Sequence, residues 1–261
     1  MLIEPKILKG FRDFLPQEAA ARKHIQHTLE TIFESFGFQP IDTPVLEYTE
    51  VLLGKGGGET DKQMYRFNDQ GGRDVAMRFD LTVPFARFMA RNENELQIPF
   101  KRYHIDKVWR GENTQRGRYR EFTQCDFDIV GTDSLSADFE ILLMMYRSFE
   151  ALGISDITIK LNHRGIFNHF LEKHSIKEKS TEIMRAIDKL AKVGAEEVRS
   201  LLEAEVGTDI ADKILTYIQP KESFYETLEM ITELSGGESD ESRRMYALHE
   251  GFKALGIQDR F

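Results

Sequence analysis

The sequence predicts an α+β chain: a mixed, mainly antiparallel sheet flanked by helices up to about residue 165, then an all-helical segment over 166–255. Three observations carry that reading. Ile98–Gly131 (IPFKRYHIDKVWRGENTQRGRYREFTQCDFDIVG) reads as two strands, Phe100–Trp109 and Phe122–Val130, joined by a long basic loop. Two strongly amphipathic helical patterns flank it, one after Pro16 and one over Leu135–Leu152. From about Ile166 the period is helical throughout, with Ile183, Ile187 and Leu190, then Val198, Leu201 and Leu202, then Leu228, Ile231 and Leu234, separated by Pro220 and Gly236-Gly237.

At 261 residues the chain can bury a sizeable core, as one large domain or as a core with an insertion. No apolar run is long enough to span a membrane, and MLIEPKILKG lacks the apolar stretch and cleavage site of a signal peptide. The single cysteine excludes an internal disulfide framework and suits a reducing compartment, so a cytoplasmic location is expected. A net charge of −9 argues against a general nucleic-acid coat; the local exception is the basic loop with Arg116, Arg118 and Arg120.

In chain order, Lys9–Pro16 (KGFRDFLP) is a turn into a helix, with Pro16 near its first position. Ile25, Leu29, Ile32, Phe33 and Phe36 form its core stripe, and Gly37 stops it. His24 and His27 have no partners at metal-ligand spacing and read as surface or interface residues. Phe38–Tyr48 is extended, with Pro40 and Pro44 placing it at a sheet edge. Gly54–Thr60 (GKGGGET) fails the phosphate-loop pattern and reads as a surface loop. Met64–Phe67 and Val75–Phe79 are strands around an Asp69–Gly72 turn. A helix follows from Pro84 to Ala90, with Thr82 as its expected N-cap. The helix Leu135–Leu152 presents Leu135, Phe139, Leu142, Leu143, Tyr146 and Phe149 as its apolar set. Asp156–Leu161 (DITIKL) alternates as a strand. The charged runs of the helical segment read as solvated faces.

The second strand of the hairpin carries the chemistry. Thr123, Cys125, Phe127 and Ile129 share one face; Phe122, Gln124, Asp126, Asp128 and Val130 share the other. Aspartate is a poor strand former, so two on one face mark a face with a task. An edge hairpin with a solvated face is the plainer reading of each feature alone. Amide and carboxylate groups opposite several arginines suit a polar ligand carrying both an amine and a phosphate.

Val108–Glu112 (VWRGE), the basic loop and Arg118–Asp126 (RYREFTQCD) resemble motif 2 of class II aminoacyl-tRNA synthetases, and GRYREF…QCDFDI resembles the histidyl-tRNA synthetases. KGFRDFLP is similar to their opening, and FQPIDTPVLEY to motif 1 with Pro44 as its proline. The match fades after Asn162-His163-Arg164. The resemblance implies a class II synthetase-like fold, a catalytic core over 1–165, a helical insertion domain over 166–255 that reaches the tRNA acceptor arm, and a return to the core at 256–261. It implies ATP and Mg²⁺ as cofactors, histidine and tRNA(His) as substrates, and a homodimer through motif 1. Carried over residue by residue, Arg110 is the catalytic cation on the α-phosphate and carboxylate. Glu112 reads the adenine amino group, Phe122 stacks on adenine, and Arg118 approaches the γ-phosphate. Asp80, Thr82 and Gln124 bind the substrate ammonium, and Asp128 accepts from the imidazole, where many bacterial members have glutamate. Arg116 and Arg120 are acceptor-arm candidates, and no metal ligand is assigned. The family's later histidine motif, motif 3 and anticodon-binding domain do not follow Phe261, so weak or no adenylation by this chain alone is expected. Two other functions fit the same resemblance: a non-catalytic synthetase-like regulatory subunit of histidine biosynthesis, and a pseudo-synthetase that senses uncharged tRNA.

Overall fold

The computed structural model describes residues 3–54 and 62–261. The glycine-rich stretch Lys55–Thr60, expected as a surface loop, lies outside the described residues. The chain divides into two compact units, Met1–Ser155 and Asp156–Phe261.

In the first unit, helix α1 (Pro16–Ser35) starts on Pro16 and ends at Phe36, with Gly37 at φ +78° supplying the left-handed stop. Two three-stranded sheets follow. In one, β1 (Gln39–Pro40) pairs in parallel with β5 (Phe100–Trp109), which pairs antiparallel with β6 (Glu121–Val130). In the other, β2 (Leu46–Tyr48) and β3 (Arg66–Asn68) flank β4 (Asp74–Met77), all antiparallel. The extended segment Phe38–Tyr48 therefore serves as an edge strand twice, once in each sheet, with Pro44 between. A proline lacks the N–H that a continuous inner strand needs, so edges are where this segment fits. Helices α2 (Thr49–Leu53), α3 (Thr82–Asn92) and α4 (Leu135–Ala151) complete the unit.

The β5–β6 hairpin pairs from Phe100 with Val130 to Trp109 with Glu121. Its apolar face packs Tyr103, Ile105, Cys125, Phe127 and Ile129 against Phe33 of α1 and Met144 of α4. The Phe33 ring lies 5.5 Å from Tyr103 and 5.1 Å from Phe127. The apolar set expected for α4 needs correction. Its buried face is Met144 and Ser148, with Ile141 beside them, whereas Phe149 is 37% exposed. Ser148 donates to the Met144 carbonyl at 2.7 Å, so its hydroxyl is satisfied within the helix and can be buried.

The second unit is helical: α5 (Arg164–Lys173), α6 (Ser180–Ile187), α7 (Leu190–Val193), α8 (Ala195–Val206), α9 (Thr208–Tyr217), α10 (Phe224–Leu234) and α11 (Asp240–Ala254). Phe167, Phe170 and Leu171 pack with Ile183, Val198, Leu202, Ile214 and Tyr217 in its core. The strand expected over Asp156–Leu161 does not form; Ile159 is buried and donates a hydrogen bond to the Arg260 carbonyl at 2.7 Å. Alternation makes a strand only where a partner strand accepts the ladder. No described helix is long and apolar enough to cross a membrane.

Gly131 follows β6 at φ +90°, and a Cβ there would meet Ile98 Cγ2 at 1.8 Å. Gly153 has φ +73° with open space around it. Gly131→Ala is expected to cost roughly 2–4 kcal/mol and Gly153→Ala about 1 kcal/mol, the difference being overpacking added to the left-handed backbone. Urea midpoints followed by fluorescence of the single tryptophan, Trp109, check this; equal midpoints would refute it.

Candidate active site

The polar face of the hairpin is set by strand register. Arg102 lies opposite Asp128, His104 opposite Asp126, Asp106 opposite Gln124, and Val108 opposite Phe122. The faces alternate, so all eight side chains turn away from the Phe33 core.

At the end nearest the loop, Arg110 Nε donates to the Phe79 carbonyl at 3.2 Å. Its guanidinium carbon lies 4.5 Å from the Phe79 ring and 5.0 Å from the Phe122 ring. Arg118 Nη1 reaches Glu112 Oε2 at 3.1 Å on an exposed edge, and Arg116 is exposed. Arg120 Nε donates to the Glu112 carbonyl, and its backbone N–H donates to the Gly10 carbonyl at 2.8 Å. A Cβ on Gly10 would come within 2.7 Å of Arg120 Cγ. Arg120 thus braces the loop against the opening turn, and the glycine permits that approach.

At the other end, Gln124 Nε2 donates to both Asp126 oxygens at 2.9 and 3.0 Å, and Thr82 Oγ1 lies 3.5 Å from Asp126 Oδ2. The N-cap position of α3 is Leu81 and Thr82 is the first helical residue; the side chain that caps the helix is that of Asp80, whose Oδ1 accepts the Val83 N–H at 2.9 Å. Asp80 does so because its carboxylate sits three residues before an otherwise unpaired helical donor. The structure therefore gathers Thr82 and Gln124 on Asp126, a residue the sequence placed on this face without a role. Asp128 forms a close ion pair with Arg102 Nη2.

Two fully buried arginines lie beneath this face. Arg78 donates to the Lys107 and Thr43 carbonyls at 2.9 and 2.8 Å and pairs with Asp106 Oδ2 at 2.5 Å. Burial pushes the Asp106 carboxyl up, but the Arg78 hydrogen bond and charge and the Lys107 N–H together hold it below the usual range. Burial, then the Arg78 charge, lowers His104 below the ordinary histidine range, which favours the neutral ring. Sequence reasoning missed both arginines, because a lone charge on an alternating strand reads as solvent-facing. The signal that finds Arg102 is its cross-strand pairing with Asp128; no pairing along the sequence marks Arg78.

Asp42, His104 and Asp106 place ligand atoms within 4.8 Å of one another. Arg78 occupies the Asp106 oxygen that faces His104, and His104 Nδ1 has no acceptor to fix the ring, so we assign no metal there. A groove of about 490 Å³ opens on the opposite face of the hairpin, lined in part by Phe14, Arg22, Leu29, Ile105 and Cys125. Burial pushes the Cys125 thiol up to about 12, so it is no nucleophile.

A family model described as histidyl-tRNA synthetase matches residues 10–258. A curated histidine–tRNA ligase of Treponema denticola is 52% identical over 264 residues, covering 99% of this chain and 59% of that protein. The crystal structure of a histidyl-tRNA synthetase from Nostoc superimposes with a TM-score of 0.87 at 31% identity, over 99% of this chain and 60% of that one. A structure described as an ATP phosphoribosyltransferase regulatory subunit/histidyl-tRNA synthetase from Bacillus halodurans superimposes at 0.81 with 21% identity, a likeness of fold alone. The chain spans about 60% of the length of the Treponema relative and of the Nostoc chain.

The Arg78–Asp106 pair sets a pH dependence. A carboxyl depressed by folding contributes stability that is present above its unfolded pKa and lost as pH falls through the folded value. Stability of the wild-type chain is expected to fall through the acid side of the ordinary carboxylate range, and that of Asp106→Asn to be lower at neutral pH and flatter in that window. Urea denaturation at a series of pH values measures both. Parallel profiles for the two proteins would show that the pair contributes nothing.

Proposed function

The chain belongs to the histidyl-tRNA synthetase family, and we propose that it supplies the motif 1 and motif 2 side of a histidine–tRNA ligase active site. The observation that carries this reading is one strand face that holds Arg110 against Phe79 and Phe122 at one end and gathers Gln124, Asp126 and Thr82 at the other. A nucleotide whose adenine stacks on Phe122 brings its α-phosphate toward Arg110. Asp80 and the group of Gln124, Thr82 and Asp126 attract the histidine ammonium and turn its carboxylate toward the same phosphate, and Asp128 accepts from the imidazole.

In this reading a carboxylate oxygen of histidine bonds to the α-phosphorus as the bond to the bridging oxygen of pyrophosphate breaks. Negative charge grows on the non-bridging oxygens, where a fixed guanidinium stabilises it without reorganising. The acyl group then passes to a hydroxyl at the tRNA 3′ end and AMP leaves. Positioning and charge perform both steps, with no protein nucleophile. Mg²⁺ fits less well. Glu112 is engaged by Arg118, and Glu121 by Lys107 and Trp109 Nε1, so neither offers an open carboxylate and no step is derived through the ion.

Arg116, exposed in the loop, is the better acceptor-arm candidate, because Arg120 braces the loop. The helical unit as a tRNA-contacting insertion, and a homodimer through the α1–β1–β2 region, complete the proposal. The regulatory-subunit alternative is disfavoured by retention of Arg110, Glu112, Arg118 and Phe122 together.

Calorimetric titration of a non-hydrolysable ATP analogue, with and without histidine, tests the reading. Saturable binding strengthened by histidine is expected, with Arg110→Ala weakening it roughly tenfold or more, as for loss of charged hydrogen bonds. Binding indifferent to Arg110→Ala, or absent at millimolar ligand, would refute it.

A further inference from the structure

We propose that Arg102 is a positioning residue of the substrate pocket, which holds the Asp128 carboxylate in one orientation and leaves one oxygen open to a substrate N–H. The inference rests on the ligase reading and deepens it. Arg102 is 0% exposed, whereas the Asp128 side chain is 41% exposed. The cation is thus wholly inside and the carboxylate faces outward. The two residues are direct cross-strand partners, a spacing at which opposite charges interact. The guanidinium carbon lies 4.0 Å from the centre of the Phe85 ring of α3, which is itself buried, so the fork is packed from behind.

Comparison with Arg78 separates this role from a structural one. Arg78 is equally buried, and two of its nitrogens donate to backbone carbonyls of other segments, so it staples the fold. None of the three Arg102 guanidinium nitrogens has a hydrogen-bond partner among the described residues, and Nη2 makes the ion pair with Asp128. A buried cation is expensive, and an apolar side chain of similar volume often replaces it without loss. Arg102 is therefore better explained by what it does to Asp128 than by what it adds to packing.

The charges acting on Asp128 are Arg102 from β5 and Asp126 from β6; His104, opposite Asp126, is favoured neutral, and α3 contributes the Phe85 ring against Arg102. Burial pushes the Asp128 carboxyl above the usual range, Arg102 draws it back, and Asp126 pushes it up again. Removing the guanidinium leaves burial and Asp126 unopposed. Asp128 then takes up a proton at higher pH, and the open oxygen no longer acts as an anionic acceptor.

The test uses the full chain with Arg102→Lys, Arg102→Met, Asp128→Asn and the Arg102→Met/Asp128→Asn double variant. Folding is verified by circular dichroism and thermal midpoint. The Asp128 carboxyl is titrated by ¹³C NMR, and histidine affinity is measured by calorimetry across pH. Arg102→Met is expected to move the Asp128 midpoint upward by about one unit or more and to weaken histidine binding about tenfold near neutral pH. Arg102→Lys, which keeps the charge, should return the midpoint toward wild type and recover part of the affinity. In the Asp128→Asn background, Arg102→Met should have no further effect on histidine. If the methionine variant does not fold, the Arg102→Lys midpoint decides: a value far from wild type overturns the proposal. A midpoint unmoved across the single arginine variants overturns it, as does an undiminished effect of Arg102→Met in the Asp128→Asn background. A wild-type chain that does not bind histidine defeats the ligase reading, while the carboxyl titration still decides whether Arg102 controls Asp128.

Discussion

The register of β5 against β6 is the constraint on which fold and site both depend. Pairing Phe100 with Val130 and Trp109 with Glu121 puts Tyr103 and Phe127 on the helices and Arg102 and Asp128 on the polar face. A slip of one residue would exchange the two faces along the whole ladder. Different forces hold the register at its two ends. Near the loop, Glu121 accepts from Trp109 Nε1 at 3.0 Å and from Lys107 Nζ at 2.8 Å. Further along, Phe33 wedges between Tyr103 and Phe127, and Arg102 pairs with Asp128 on the reverse side. Burial of one aromatic ring contributes on the order of 1.5–3 kcal/mol, which makes the apolar wedge the stronger fixture.

That register also sorts charge. Along β6 from Phe122 to Asp128 the polar face runs from the arginines of the loop to a cluster of carboxylates, a span of roughly 20 Å at the usual rise per residue. The chain as a whole carries −9, so the cationic end is a local exception built by Arg110, Arg116 and Arg118. In the ligase reading, a substrate pair with phosphate at one end and ammonium at the other would align along this gradient. The buried arginines keep the carboxylate end from becoming self-repelling: Arg78 takes Asp106 and Arg102 takes Asp128, which leaves Asp126 held by neutral groups, Gln124 and Thr82.

Particular residues show what a sequence makes legible. The hairpin strands match their expected bounds to within one residue, because alternation of period two is strong over Thr123–Ile129. Helix α1 was legible from Pro16, the Phe33 stripe and Gly37. The buried face of α4 was not, since Ser148 is polar by type and apolar in effect once its hydroxyl bonds Met144. DITIKL has the pattern of a strand but no partner, and pairing is a tertiary fact. Thr82 was the expected cap, but it is the first helical residue, and the Asp80 carboxylate accepts the Val83 N–H instead. In the candidate site, the residues proposed to face ligand were named from the motif. Asp126 was placed on the polar face but given no role, and Arg102 was missed, because their contacts are cross-strand and cross-helix rather than set by spacing along the chain.

The exposed pair Arg118–Glu112 and the packed Arg110 divide the labour of the nucleotide end. Arg110 is fixed by a carbonyl and two rings, so in the ligase reading it would meet the developing charge already oriented. Arg118, 64% exposed, and Glu112 satisfy each other at 3.1 Å, yet in the ligase reading one serves the γ-phosphate and the other the adenine amino group. The pair uses one oxygen of Glu112 and one nitrogen of Arg118, so in that reading nucleotide binding exchanges all or part of this contact for contacts to the ligand. An exposed ion pair contributes about 0–1 kcal/mol, and a hydrogen bond to a charged group about 1.5–3 kcal/mol. The exchange therefore favours the bound state, and the pair keeps both side chains near their working positions until the nucleotide arrives.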